Sequence, residues 1–155
     1  MPQNTQTTPL ANADLNQDLD DLVGYNLKRA YMIVHTDFRT AIGEDGLPPR
    51  AFSALSIAVQ FPNITQSALA RMLGIERSGL VAIVDDLEKR GYLVRAQVPG
   101  DRRVQALVPT KAGRQAYRNA LAQAHDHEAA LLVNFTDDER ATLLNLLQRI
   151  RSVEE

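Results

Sequence analysis

The chain has 155 residues and no cysteine, and 17 basic against 19 acidic residues give a formal net charge of −2. This length corresponds to about one domain, large enough to bury a sizeable core. The lack of cysteine excludes disulfides, thiolate zinc sites and thiol nucleophiles. No apolar run approaches the roughly 20 residues of a membrane helix, and the N-terminus lacks the parts of a signal peptide, so we expect a soluble cytoplasmic protein.

The N-terminal part of the chain predicts an arm followed by two helices. Residues 1–13 are polar, which is typical of a disordered arm. Apolar residues at three-and-four spacing over Asp18–Ile42 predict one long amphipathic helix. The pair Pro48–Pro49 suits the opening turn of a second helix that continues to Gln60, and Pro62 prevents its extension.

The next segment predicts two short helices joined by a tight turn. Thr65 is a suitable N-cap for a helix over Gln66–Leu73, and Gly74 supplies the turn. The second helix is predicted over Arg77–Arg90, with Gly91 at its C′ position. Its expected buried stripe consists of Leu80, Val81, Ile83, Val84 and Leu87.

A hairpin and two further helices complete the predicted order. Strands are expected over 92–97 and 103–108, because residues 98–102 carry the residue types of a turn. Thr110 is expected to cap a helix reaching Asn134, and Thr136 with Glu139 forms the capping box of a last helix ending near Val153. The predicted fold class is α-rich α+β, with a winged helix-turn-helix core between N- and C-terminal helices.

The paired short helices have the requirements of a helix-turn-helix that binds DNA. Such helices need a small residue at their crossing, here Ala70, and a residue tolerant of positive φ in the turn, here Gly74. On the second helix, Arg77 suits bidentate contact with guanine and Ser78 suits a phosphate or base. Similar helix pairs also occur in bundles that bind no DNA. The outward side of the second helix carries Arg77, Ser78, Gly79, Ala82, Asp85, Asp86 and Lys89.

Charge and the hairpin tip favour DNA over a bundle. Residues 65–114 contain nine basic and five acidic side chains, a net of +4, which leaves −6 for the remainder. Arg102 and Arg103 at the tip suit a narrow minor groove. We expect Asp101 to orient Arg103 through a charge-assisted pair. The alternative is an ordinary surface ion pair worth at most about 1 kcal/mol.

These motifs resemble the MarR family of bacterial transcription regulators. The resemblance covers about residues 18–153 and rests on TQSALARMLGIERSGLVAIVDDLEKRGYLVR, the tip Asp101-Arg102-Arg103 and LVPTKAGR. It implies a homodimer on a pseudo-palindromic double-stranded DNA operator. The DNA contacts expected on this basis are Thr65, Gln66, Ser67, Arg77, Ser78, Gly79, Ala82, Asp101, Arg102 and Arg103.

The domain organisation follows from the same pattern. Residues 1–13 form the arm, 14–46 and 111–155 the helical dimerisation region, and 47–110 the DNA-binding lobe. The terminal helices carry more apolar surface than one small winged helix could cover, which is consistent with a homodimer.

The resemblance further implies a small-molecule effector bound between the dimerisation helices and the DNA-binding lobe. Tyr31 and Phe38 are also interpretable as plain core, and His35 as a half-buried histidine without a ligand. The segment LVGYNLKRAYMIVHTDF is similar to family members that control catabolism of aromatic acids or their coenzyme A thioesters. The candidate ligand residues are Tyr25, Arg29, Tyr31, His35, Phe38, Phe52 and Tyr117.

No cofactor or metal is expected. His125 and His127 are two residues apart on a predicted helix and therefore point in different directions. The lack of cysteine excludes peroxide sensing through a thiol. The sequence therefore predicts a DNA-binding regulator, most simply a dimeric repressor released by a ligand. The alternatives are a ligand-responsive activator and a winged-helix module that binds protein; an enzyme is disfavoured, because no catalytic motif is present.

Overall fold

The computed structural model describes residues 17–42, 46–98 and 101–152, with side chains omitted at 17, 42 and 101–103. The predicted arm over residues 1–13 lies outside this range. The described residues up to Thr36 form one compact unit, and those from Asp37 onward form a second. The α-rich α+β prediction is confirmed. The elements are α1 (Gln17–Asp20), α2 (Val23–Ile42), α3 (Pro49–Gln60), α4 (Gln66–Leu73), α5 (Arg77–Lys89), β1 (Leu93–Val98), β2 (Asp101–Pro109), α6 (Lys111–Leu131) and α7 (Asp137–Arg151).

The predicted single helix from Asp18 to Ile42 is wrong at its start, because the chain breaks it into α1 and α2. Asn26 explains the break. Its side-chain amide donates to the carbonyl of Asp20 at 2.7 Å and to that of Leu22 at 3.0 Å. A side chain that occupies backbone acceptors in this way competes with a continuous helix, and Gly24 close by lowers the local helix propensity.

The helix boundaries of the second unit follow the predicted signals closely. Pro49 occupies the first turn of α3. The Thr65 hydroxyl accepts from the Ala68 N–H at 3.2 Å and so caps α4. Gly74 ends α4 in the left-handed region, with φ of 62°, a conformation that costs a glycine little and other residues more. Gly91, with φ of 74°, follows the end of α5.

The hairpin is tighter than the sequence predicts. Its register pairs Arg95 with Leu107 and, beyond an irregularity at Gln97/Val98, pairs Val98 with Asp101. Strand β2 therefore begins at Asp101, whereas residues 98–102 were expected to form the turn. The irregularity shifts the register, so that paired backbone reaches further toward the tip.

The last two helices differ from expectation only at one end. Helix α6 stops at Leu131, short of the predicted Asn134, and Arg140 donates from its Nη2 to the Leu132 carbonyl at 2.8 Å. That bond satisfies a carbonyl of the helix end, which favours termination there. The capping box of Thr136 and Glu139 is confirmed at the start of α7, and Val153 lies outside the described residues.

The core of the second unit lies between α3, the helix-turn-helix, the hairpin and α6. One predicted core residue is misplaced: Val81 is 38% exposed, because it lies about 100° around the helix from the fully buried Leu80. No helix in the described ranges is long and apolar enough to span a membrane. The largest fully buried side chains are Leu55, Leu69, Leu80, Val84, Leu87, Leu93 and Leu107.

Candidate nucleic-acid interface

The start of α5 presents the residues that were predicted to contact DNA. Leu80, Val84 and Leu87 are buried and fix the orientation of the helix against the core. The opposite side of the first turns is open to solvent, so a major groove could receive it. Arg77, Ser78, Gly79 and Ala82 are all exposed. Their DNA contacts remain predictions, but the surface that those contacts require is present.

At the start of α4, fewer side-chain groups are available to contact DNA than the sequence predicts. The Thr65 hydroxyl accepts the Ala68 N–H, so one of its lone pairs is committed to the helix cap. Thr65 also forms a β-bridge with Ala106 of the wing strand β2 and is half-buried. Ser67 is exposed and Gln66 is half-buried. Among these three, Ser67 is the most accessible to a phosphate.

The side chains of Asp101, Arg102 and Arg103 lie outside the described residues, so the proposed Asp101–Arg103 pair stays a prediction. Their backbone is described: Asp101 pairs with Val98 at the end of the hairpin. Residues 101–103 therefore occupy the tip-proximal end of β2, where a wing would enter a groove beside the recognition helix.

The carboxylates of α5 are all held in ion pairs. Asp86 pairs with Arg90 at 2.9 Å, and both Asp85 and Glu88 pair with Arg95. Arg90 and Arg95 are two of the nine basic residues counted between residues 65 and 114, and both are engaged by these carboxylates. The exposed cations of this region that form no ion pair with another described side chain are Arg71, Arg77, Lys89, Lys111 and Arg114.

A close backbone contact joins the base of the wing to α6, and sequence reasoning missed it. The Thr110 hydroxyl donates to the Gly91 carbonyl at 2.6 Å, and the Thr110 N–H donates to the Tyr92 carbonyl at 3.0 Å. A Cβ on Gly113 would overlap the Tyr92 carbonyl oxygen and lie 2.8 Å from its carbon. The first turn of α6 therefore approaches this carbonyl as closely as only glycine allows.

In the second unit, two aromatic contacts involve α6 and include three of the predicted ligand residues. Phe52 of α3 stacks on Tyr117 with ring centroids 6.1 Å apart. Phe38 meets His127 edge-on at 5.5 Å, and the His127 Nε2 is buried without a partner among the described residues. From the sequence, His127 was interpretable only as one of two histidines unsuited to hold a metal together. Phe38 and His127 are far apart in the sequence, so no local pattern predicts that they are in contact.

In the first unit, the predicted ligand residues lie along α2. Arg29 donates to the Tyr25 hydroxyl at 3.4 Å and lies over its ring, with the guanidinium 5.9 Å from the centroid. Tyr31 and His35 contact each other at 5.4 Å. The interpretation of Tyr31 as plain core is wrong for the single chain, because this side chain is 63% exposed. Four residues of one helix thus form two pairs, each at the i, i+4 spacing.

Comparison with known proteins gives consistent matches. The model of the MarR family matches residues 45–104. A protein of Thauera aromatica described as a transcriptional regulatory protein for the hcr operon is 32% identical over 144 residues, or 87% of each chain. The repressor CouR bound to a 23-mer DNA duplex is 36% identical, with a TM-score of 0.83 over 90% of this chain and 99% of that one. CouR from Rhodococcus jostii RHA1 bound to p-coumaroyl-CoA is 29% identical, with a TM-score of 0.76 over 87% and 95% of the two chains.

These matches extend well beyond the helix-turn-helix. The relative from Thauera aromatica covers both the winged helix and the flanking helices, and the superposition on CouR includes nearly all of that repressor. The matched proteins are transcription regulators and not enzymes. With the exposed start of α5 and the adjoining hairpin, they establish that the chain belongs to the MarR family of transcriptional regulators.

Proposed function

We propose that the protein is a homodimeric, cytoplasmic repressor that binds a pseudo-palindromic operator and leaves it when a small aromatic ligand binds. The ligand class is an aromatic acid or its coenzyme A thioester. The observation that carries the proposal is the exposed Arg77, which has no ion-pair partner among the described side chains, at the start of a recognition helix whose Leu80, Val84 and Leu87 are buried. A helix oriented in this way by its core suits insertion into a major groove.

The charges of this face favour DNA over a protein partner, the alternative occupant of a winged helix. Arg90 and Arg95 balance two of the three carboxylate charges of α5, which leaves one negative charge in this cluster. The three exposed cations Arg71, Arg77 and Lys89 outnumber that charge and the exposed Glu76, so these described residues together carry a small net positive charge. A protein-binding surface of this size would be expected to expose apolar or mixed residues at its centre. A cationic surface suits the phosphate backbone.

Exposed apolar side chains on the terminal helices support the homodimer. No residue of α7 is buried in the single chain. Apolar surface of this extent is uncommon on a monomer and marks an interface. A second copy of the same chain is the natural occupant, because a symmetric dimer presents two recognition helices to a palindromic site. The exposed apolar residues in question are Leu19, Leu22, Val23, Met32, Ile33 and Val34 near the N-terminus, and Val133, Phe135, Leu143, Leu144, Leu146 and Ile150 near the C-terminus.

The ligand class is supported by the aromatic pairs described above and by the similarity to CouR. The pair of Phe52 and Tyr117 offers flat apolar surface of the kind that binds an aromatic ring. The buried His127 Nε2 adds a polar atom without a partner among the described residues. The repressor CouR from Rhodococcus jostii RHA1, similar over most of its length, was solved with p-coumaroyl-CoA. An aryl thioester is therefore the first ligand to test.

Fluorescence anisotropy with a labelled operator tests the proposal. The operator is obtained by selecting duplexes from a random-sequence library with the purified protein. We expect a palindromic duplex that binds two chains, and release when p-coumaroyl-CoA is added. Free coenzyme A and p-coumarate serve as the two matched controls for the halves of the thioester.

The outcomes separate the parts of the proposal. Failure to select any duplex would contradict DNA binding itself. Binding without release by the thioester or either control would discard this ligand class, while release by free coenzyme A alone would assign recognition to the nucleotide and not to the aromatic ring. A reporter gene that carries the operator in its promoter distinguishes a repressor from the alternative, a ligand-responsive activator.

A further inference from the structure

Arg95 joins the wing to the recognition helix. It lies on β1, and its guanidinium bridges two carboxylates of α5: Nη2 lies 2.6 Å from the Oδ1 of Asp85, and Nη1 pairs with the Oε2 of Glu88. The backbone N–H of Arg95 also donates to the Oε1 of Glu88 at 3.0 Å. Asp85 and Glu88 are one turn apart and share a face of the helix. A single residue thus ties strand to helix through main chain and side chain together.

The contact holds the edge of the hairpin that faces α5. On the other edge, the Leu107 N–H of β2 donates to the Ile64 carbonyl at 2.8 Å. On the β1 edge, Arg95 makes the described strand bond to α5 through its N–H to Glu88, while the Tyr92 N–H just before the strand donates to the Leu87 carbonyl at 2.8 Å. A two-stranded hairpin is marginally stable without support. With this link released, the base of the hairpin would stay attached through the buried Leu93 and Leu107, while the part beyond Arg95 could shift, most of all at the tip.

The position and burial of Arg95 argue against a role as a phosphate ligand. The side chain is 22% exposed and that of Glu88 is 28% exposed, so both charges are largely removed from water. Arg95 lies three residues before the end of β1, about 10 Å along the strand from the tip. Two carboxylates surround its guanidinium, and they would repel a DNA phosphate brought to the same place.

We propose that Arg95 is a positioning residue: bound to Glu88 and Asp85, it fixes the wing at the angle to the recognition helix that lets both reach DNA together. Arg95 itself does not touch DNA. The inference rests on DNA binding through the winged helix. On this proposal, Asp85 and Glu88 favour DNA binding by holding Arg95, although their negative charges repel DNA.

The direction in which Glu88→Gln changes the affinity for DNA tests this role. Glu88→Gln removes a negative charge from the DNA-binding lobe, so simple electrostatics predicts tighter binding to the selected operator. If Glu88 instead holds the wing through Arg95, the same change weakens binding, and we expect about a tenfold rise in Kd. Arg95→Gln is expected to weaken binding by a similar factor. The double variant should bind no more weakly than Arg95→Gln, because that variant already removes the ion pair with Glu88.

Glu76→Gln is the matched control. Glu76 lies just before α5, is exposed, and its side chain makes no cap hydrogen bond. Its removal takes away the same charge without touching the wing, so we expect unchanged or tighter binding. Asp85→Asn provides a second test of the cluster that spares the core, because Asp85 is 58% exposed. It should weaken binding less than Glu88→Gln, since the less exposed ion pair of Arg95 with Glu88 remains.

Two further measurements separate positioning from stability and from direct contact. The Arg95 amide should exchange with deuterium faster in Glu88→Gln while the thermal midpoint still lies above the assay temperature. A lowered midpoint with unchanged Kd would overturn the proposal in favour of a purely structural cluster. Tighter binding by Glu88→Gln together with weaker binding by Arg95→Gln would also overturn it, because that pattern belongs to a phosphate contact. If the wild-type chain selects no duplex, DNA binding fails, and this outcome is distinct from both.

Discussion

Substitution of Gly113 by alanine tests the close approach between α6 and the base of the wing. The new Cβ would overlap the Tyr92 carbonyl oxygen and lie 2.8 Å from the carbonyl carbon and 3.0 Å from the Cα. All three are backbone atoms, so no side-chain rotation relieves the overlap. The first turn of α6 must move away, which strains the hydrogen bonds from Thr110 to the carbonyls of Gly91 and Tyr92.

The loss in the free energy of unfolding can be estimated from the steric overlap, the weakened hydrogen bonds and the helix propensity of alanine. Overpacking against a rigid neighbour costs about 1–3 kcal/mol, and weakening a hydrogen bond costs about 1 kcal/mol more. The higher helix propensity of alanine returns up to about 1 kcal/mol. We therefore expect Gly113→Ala to lower the free energy of unfolding by about 2–3 kcal/mol, a fall in Tm of about 4–12 °C for a chain of this size.

Far-UV circular dichroism during thermal and urea unfolding, at one fixed protein concentration, measures this change. Gly79→Ala is the matched control for stability. A Cβ at Gly79 meets no heavy atom within 4 Å, so we expect unchanged stability or a gain of up to about 1 kcal/mol. An unchanged or raised Tm for Gly113→Ala would refute the reasoning, because it would mean that α6 does not approach the Tyr92 carbonyl this closely in solution.

Four further predictions concern the turn, the last helix, the wing and the dimer. Gly74→Ala should lower the free energy of unfolding by about 1–2 kcal/mol in urea titrations, because φ of 62° is unfavourable for alanine; unchanged stability would contradict this. The Thr136 N–H and hydroxyl donate to the Glu139 carboxylate and lower its pKa. The stabilisation from this carboxylate is therefore fully present above its unfolded-state pKa and is lost as the pH falls through the lowered folded-state pKa. In unfolding titrations at different pH values, Glu139→Gln should lose less stability on the acid side than the wild type. Arg103→Ala should weaken operator binding about tenfold or more while Tm stays constant, and equal affinity at physiological salt would remove the assigned wing role. Leu144→Glu should convert the dimer to monomer in sedimentation velocity, because it places a charge on an apolar face; an intact dimer would exclude this face from the interface.

Local signals in the sequence were sufficient to place most elements of the second unit. Thr65, Thr110 and Thr136 each cap the helix that was expected to follow them. Gly74 adopts the left-handed conformation that a tight turn requires. These signals act over three or four residues, so the chain nearby suffices to determine them. Where another local interaction competed, as with the Asn26 side chain, the predicted helix was wrong.

The sequence by itself therefore determined the class of the protein: the order of elements, the outward side of the recognition helix and the resemblance to the MarR family. Only the tertiary structure decided which charges remain available to DNA. Arg95 is a cation in any count, yet it is held by Asp85 and Glu88, ten and seven residues earlier. Likewise, nothing in the sequence distinguishes Gly113 from another helix residue, whereas the structure packs it against the Tyr92 carbonyl. The physical reason is the same in both cases: an ion pair or a steric overlap depends on distances between elements, which are set by how the core folds.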